Sequence, residues 1–273
     1  MTSRLTKIFQ TIRSQGRTGL VTYVTGGDPD QERSVQILLG LDRAGADVIE
    51  VGVPFSDPLA DGPVIQRASE RALAAGASLS STLDLIEHVR ADLRAGVVVF
   101  TYANPVLRMG TEVFSERAAR AGVDGVLILD LPLEEAGPFR RTIVEVGIDP
   151  IFLLSPTTTD ERLKLAAELG RGFLYGISRL GVTGVRAEVS PSARTLVRRI
   201  REVSSLPIAV GFGLSRPEHV REIGSCADAA VVGSALVEII AQEASSPDLV
   251  SAVERYVSWL KGNGEVEGGA ERT

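Results

Sequence analysis

The chain has 273 residues, of which 29 are Lys or Arg and 35 are Asp or Glu, for a net charge of −6. At 44% hydrophobic it has globular composition, and its length suffices for one large core or two smaller ones. One Cys (Cys226) and two distant His (His88, His219) exclude a disulfide framework and any multi-Cys zinc site, and the acidic balance argues against nucleic acid or anionic membranes as general partners. No apolar run approaches the roughly 20 residues of a membrane-spanning helix. Met1 to Gln10 lack the apolar core of a secretion signal, so a soluble, cytoplasmic protein is expected.

A helical stretch, Leu5–Ser14, precedes the first of eight aliphatic runs, Leu20–Thr25. Asp28-Pro29 then reads as an N-cap and first-turn proline, with Val35, Leu38 and Leu39 on one helical face. The next runs are Val48–Gly52, Val97–Tyr102, Gly125–Leu129, Pro150–Leu154 and Gly172–Ile177. Ser190-Pro191 opens a helix carrying Leu196, Ile200 and Val203. After Ile208–Gly211, Ser215 and Glu218 fit a capping box ahead of Val220 and Ile223. Ala229–Val232 is the last run, followed by a helix over Leu249–Lys261. Three segments, Arg43–Asp47, Arg120–Asp124 and Gly224–Asp228, repeat one helix-to-strand turn.

Several of the runs are continuously apolar, as parallel strands covered on both faces are. Eight of them alternating with helices predict a (β/α)8 TIM barrel with an additional N-terminal helix. Residues 1–261 are expected to form this one domain and 262–273 a flexible tail. A doubly wound dinucleotide fold is disfavoured: Gly211-Phe212-Gly213 begins the glycine fingerprint, but Arg216 occupies its last position.

In such a barrel the chemistry sits where strands pass into βα loops. Glu50 is a carboxylate within the apolar run Val48–Gly52. Burial raises a carboxyl's pKa and suits a general acid/base, but pairing with a buried Arg or Lys explains the residue equally well. In the loop that follows, Asp57 reads as a turn residue. Asp61 is either the N-cap of the next helix or a second carboxylate at the barrel mouth. Glycine-rich turns follow strands six (Gly181-Val182-Thr183-Gly184), seven (Gly211-Phe212-Gly213) and eight (Gly233-Ser234). Together they predict a phosphate monoester held by backbone amides. Asp130 and Asn104 read as loop-stabilising groups, Tyr175 as a core tyrosine, His88 as an exposed helix residue and Cys226 as a small packed hydrophobe.

The blocks Val24–Pro29, Glu50–Pro63, Tyr102–Pro105, Asp130–Pro132, Gly181–Gly184, Gly211–Gly213 and Gly233–Ala235 resemble the tryptophan synthase alpha subunit family along nearly the whole chain. The resemblance implies retro-aldol cleavage of indole-3-glycerol phosphate to indole and glyceraldehyde 3-phosphate, without a metal or organic cofactor. It makes Glu50 the acid/base, places Asp61 at the indole nitrogen and Tyr175 beside the substrate. It assigns the phosphate to Gly184, Gly213, Gly233 and Ser234, and the indole to a pocket of Tyr23, Phe100, Leu127, Leu129, Ile177 and Phe212. Tyr23, Gly176, Leu180 and Ala229 depart from residues common in the family; none removes a catalytic group, and their effect on pocket shape and loop closure is left open by the sequence.

The resemblance also implies a beta-subunit partner in an alpha2beta2 complex, docking around Ser56 to Pro63 and Asn104-Pro105. A stand-alone lyase releasing free indole is the alternative. A non-catalytic regulatory subunit is disfavoured by the intact Glu50 and Asp61.

Overall fold

The computed structural model describes residues 2–177, 191–211 and 213–263. Eight strands are β1 (Gly19–Thr25), β2 (Val48–Gly52), β3 (Gly96–Thr101), β4 (Gly125–Ile128), β5 (Asp149–Leu154), β6 (Leu174–Ile177), β7 (Ile208–Gly211) and β8 (Ala229–Val232). Each pairs in parallel with the next, and β8 returns to β1 to close the barrel. The described helices are α1 (Arg4–Ser14), α2 (Gln31–Arg43), α3 (Pro63–Ala74), α4 (Leu79–Val89), α5 (Ala103–Met109), α6 (Thr111–Ala121), α7 (Gly137–Glu145), α8 (Asp160–Leu169), α9 (Pro191–Val203), α10 (Pro217–Gly224), α11 (Ser234–Gln242) and α12 (Leu249–Leu260). The eight predicted runs all become strands, with ends displaced by two residues at most.

Strand parity divides the core. In β2, Ile49 and Val51 face outward to the helical layer, while Val48 joins the barrel interior with Val21, Val98, Leu127, Ile151 and Phe173. Both faces are covered, which is why these runs are apolar throughout. Glu50 has the same parity as Val48 and so faces inward.

The N-terminal end of the barrel is plugged by α1, whose Leu5, Phe9 and Ile12 are buried. A Cβ on Gly19 would lie 2.7 Å from Ile12, and one on Gly96 2.7 Å from Leu5. These glycines leave room for the plug. The repeated helix-to-strand turn has its own chemistry: the carboxylates of Asp47, Asp124 and Asp228 accept the backbone N–H of Leu20, Val97 and Ile208 on the preceding strand, at 2.9, 2.9 and 2.8 Å. Each Asp ties two neighbouring strands together at the floor of the barrel.

Two predicted helix starts are displaced. The N-cap of α2 is Asp30, which accepts the Arg33 N–H at 2.8 Å. Asp28 is instead buried in a forked ion pair with Arg71 of α3, at 2.9 and 2.8 Å. The capping box at Ser215 does not form, because Pro217 occupies the first turn and makes Arg216 the N-cap. Asn104-Pro105 lies in the first turn of α5, where a proline's missing N–H costs nothing.

Candidate active site

Glu50 sits on β2, in register with Tyr23 of β1 and Val98 of β3. It is fully buried, and neither carboxylate oxygen has a hydrogen-bond partner among the described residues. Among the described residues no Arg or Lys pairs with it, which disfavours the reading as a buried structural ion pair. Burial pushes its carboxyl up to about 8. At neutral pH the group is mostly protonated and able to deliver a proton into the barrel.

Asp61 lies in the loop between β2 and α3. It does not cap α3, whose N-cap is Gly62. Its carboxylate accepts a hydrogen bond from the Tyr102 hydroxyl at 3.0 Å, and that hydroxyl in turn accepts the Ala60 N–H at 3.0 Å. Burial raises the Asp61 carboxyl, and the Tyr102 hydrogen bond opposes the rise. Gln66 holds the same loop by donating to the Asp61 carbonyl at 2.9 Å. Neither Tyr102 nor Gln66 was expected at the site. The available signal for Tyr102 was its position at the end of β3, beside the loop leaving β2. Asp57 accepts the Ser56 hydroxyl at 2.6 Å, and Asp130 accepts the Ala103 N–H at 2.7 Å at the start of α5.

The barrel interior around Glu50 is apolar. Leu127 and Tyr175 belong to the buried interior, with half-buried Phe100, Leu129 and Ile177 packed against it. Tyr23 meets Phe100 edge-on, with ring centroids 5.2 Å apart. Its hydroxyl reaches Gly52, where any Cβ would lie 2.1 Å away. Burial and the Asp61 charge raise the Tyr23 phenol, and burial above all raises that of Tyr175, so both stay protonated. The Tyr175 hydroxyl approaches Gly211, where a Cβ would stand 2.7 Å from it. Four of the six predicted indole-pocket residues therefore belong to or pack on one apolar cluster, and Tyr23 joins them through Phe100. Phe212 lies outside the described residues.

Two of the departures from the family lie away from the pocket. Gly176 faces outward, where a Cβ would meet Leu196 of α9 at 3.6 Å, because Tyr175 and Ile177 take the inward parity. Ala229 is at the floor of the barrel against Gly19. Leu180 and Gly184 lie outside the described residues.

The turns after β7 and β8 are adjacent because these strands pair. Gly213 is exposed, with a left-handed backbone at φ +71° that favours glycine. Gly233 is the N-cap of α11 and Ser234 its first residue; no side chain caps this end. The first N–H groups of a helix have no intrahelical acceptor, so this end is suited to an anion. The barrel interior and mouth thus combine a buried carboxyl with a raised pKa, a second carboxyl held by a phenol, aromatic and aliphatic side chains, and an uncapped helix end suited to an anion.

Residues 9–262 match the model of the family described as "Tryptophan synthase alpha chain". The chain is 50% identical over 247 residues to the tryptophan synthase alpha chain of Methylococcus capsulatus, covering 90% of this chain and 92% of the relative. Among solved structures, tryptophan synthase subunit alpha from Legionella pneumophila superposes with a TM-score of 0.89 at 33% identity, over 96% of this chain and 98% of that one. A chain from the tryptophan synthase a2b2 complex of Pyrococcus furiosus gives a TM-score of 0.82 at 38% identity, over 89% and 98% of the two chains. On its barrel, its mouth and these likenesses, the chain belongs to the tryptophan synthase alpha chain family, lyases that cleave indole-3-glycerol phosphate.

Proposed function

We propose that this lyase reaction runs on Glu50 as the acid/base and Asp61 as the electrostatic partner of the indole nitrogen. The observation that carries the assignment is Glu50, fully buried, without a hydrogen-bond partner among the described residues and raised to about 8. The protonated carboxyl delivers a proton to indole C3, leaving positive charge on the indole nitrogen. The carbon–carbon bond to the glycerol side chain then breaks as the adjacent hydroxyl loses its proton, giving indole and the aldehyde of glyceraldehyde 3-phosphate. The Glu50 carboxylate formed in the first step is the base that receives this proton in the second. Asp61 must be ionised to stabilise the cationic intermediate, and the Tyr102 hydrogen bond favours that state.

Phe100, Leu127, Leu129, Ile177 and Tyr23 form the indole wall, with Phe212 completing it by resemblance. Tyr175 stands beside the substrate, between Glu50 and the β7 end. The amides at Gly213, Gly233 and Ser234 hold the phosphate, joined by Gly184. A phosphorylated substrate that does not cross membranes supports a cytoplasmic location.

Kinship with alpha chains, including one from an a2b2 complex, supports a beta-subunit partner over the stand-alone lyase. So do Leu59 and Leu107, which are 94% and 68% exposed beside the expected docking segments. The test is steady-state cleavage of indole-3-glycerol phosphate by the full chain with and without a beta subunit. Stimulation by the beta subunit is expected; rapid indole release that the beta subunit leaves unchanged would establish the stand-alone enzyme.

A further inference from the structure

The loop from β7 to α10 is held by two side chains from different parts of the chain. His219, in α10 and only 7% exposed, accepts the Ser215 N–H on Nδ1 at 3.2 Å. Tyr256, on α12, donates its hydroxyl to the Ser215 carbonyl at 3.0 Å. The two bonds fix the peptide groups on either side of Ser215. The preceding residue, Leu214, is buried. Gly213, next along, is the exposed, left-handed residue at the rim.

We propose that His219 and Tyr256 are positioning residues for the substrate phosphate: they lock the loop that presents Gly213. This rests on the phosphate reading of the rim given above. A backbone amide binds an anion well only when its N–H direction is set beforehand, because the bond weakens steeply with angle. Glycine's φ and ψ are the least restricted of any residue, so anchoring the chain at Leu214 and Ser215 limits the directions open to Gly213 from its C-terminal side. Tyr256 extends the lock to the second phosphate arm, since α12 packs on α11, the helix that begins at Ser234. Acceptance on Nδ1 also places the imidazole hydrogen on Nε2. Asn, whose side-chain oxygen lies near the Nδ1 position, is therefore the conservative replacement.

The experiment compares His219→Leu, Tyr256→Phe and His219→Asn in the full chain. Two readouts are used: competitive inhibition by inorganic phosphate, and the ratio of kcat/KM for indole-3-glycerol phosphate to that for unphosphorylated indoleglycerol. His219→Leu and Tyr256→Phe are each expected to weaken phosphate inhibition and lower the ratio roughly fivefold to tenfold, the equivalent of one lost hydrogen bond. His219→Asn is expected to restore most of both. Equal inhibition in Tyr256→Phe and the unmodified chain, or equal losses on both substrates, overturns the lock while leaving the phosphate site standing. If phosphate fails to inhibit the unmodified chain and its two substrates react alike, the phosphate reading fails and the lock with it. Should His219→Leu not fold, Tyr256→Phe and His219→Asn decide the matter.

Discussion

The Tyr102 hydroxyl donates to the Asp61 carboxylate at 3.0 Å while accepting the N–H of Ala60 from the same loop. One phenol therefore fixes the direction of the loop and favours the ionised form of its carboxylate. The Tyr102 ring is itself held against Phe55, with centroids 5.1 Å apart.

Tyr102→Phe keeps that ring contact and removes only the hydroxyl. Burial already raises the Asp61 carboxyl, and the lost hydrogen bond had opposed the rise. The Asp61 pKa in the variant is therefore higher. Activity that requires ionised Asp61 is lost as pH falls through that pKa, so the acid limb of the kcat/KM profile moves to higher pH. At neutral pH a drop of about tenfold is expected, the scale of one charge-assisted hydrogen bond. An unmoved acid limb would detach Tyr102 from the charge state of Asp61.

Glu50→Gln removes the carboxyl proposed as the acid/base without changing the shape of the side chain, and indole formation is expected to fall below detection in a steady-state assay. In the unmodified enzyme kcat/KM is expected to decline above pH 8, as the proton to be delivered is lost. Stability also falls with rising pH, but over a lower window. The folded-state pKa of about 8 lies above the ordinary 4.5. The native chain thus binds the proton more tightly than the unfolded one, and stability falls as pH rises from 4.5 to 8. Gln carries no such penalty. Denaturation at a series of pH values should show Glu50→Gln gaining on the unmodified chain through this window, to at most about 5 kcal/mol.

The barrel was legible because strands covered on both faces must be apolar throughout, as in Val48–Gly52, Ile208–Gly211 and Ala229–Val232. Glu50 stood out for the same reason, as a charge inside such a run. That it has no partner among the described residues was not legible, since any buried Arg in the chain would have served. Asp61 and Asp28 show the limit more sharply. Their partners, Tyr102 and Arg71, are 41 and 43 residues away, and local spacing offered helix caps for both acids instead. Glycines were ambiguous too: Gly19 and Gly96 make room for α1, whereas Gly213 and Gly233 sit at the rim, and both kinds flank strands.

Gly52 and Tyr23 are coupled through space. A Cβ at position 52 would lie 2.1 Å from the Tyr23 hydroxyl and 2.6 Å from its Cζ. Gly52→Ala therefore displaces the tyrosine ring from a wall it shares with Phe100, at a cost of about 1–3 kcal/mol, the usual range for overpacking a core. Tyr23→Phe removes the nearest clashing atom. The double variant is expected to regain part of both the melting temperature and the KM lost in Gly52→Ala. Strict additivity in this double-mutant cycle would show that the two positions do not meet.

Arg71 and Asp28 join the loop after β1 to α3, the helix that follows the Asp61 loop. The Asp28 side chain is 1% exposed and that of Arg71 32%. Arg71→Ala leaves the buried carboxylate without its cation, and a loss of roughly 2–4 kcal/mol is expected, below the full cost of a wholly buried pair because Arg71 is partly in water. Burial raises the Asp28 carboxyl and Arg71 opposes the rise, so the variant's carboxyl titrates higher still. The stability gap between variant and unmodified chain therefore narrows as pH is lowered toward the ordinary value of 3.8, where the carboxyl becomes neutral in both. Adding Asp28→Asn removes the charge that Arg71 had balanced and is expected to recover about half of the loss at pH 7. Urea denaturation of the two single variants and the double variant at acid and neutral pH measures all of this. A gap that does not change with pH would show that Arg71 acts by packing alone.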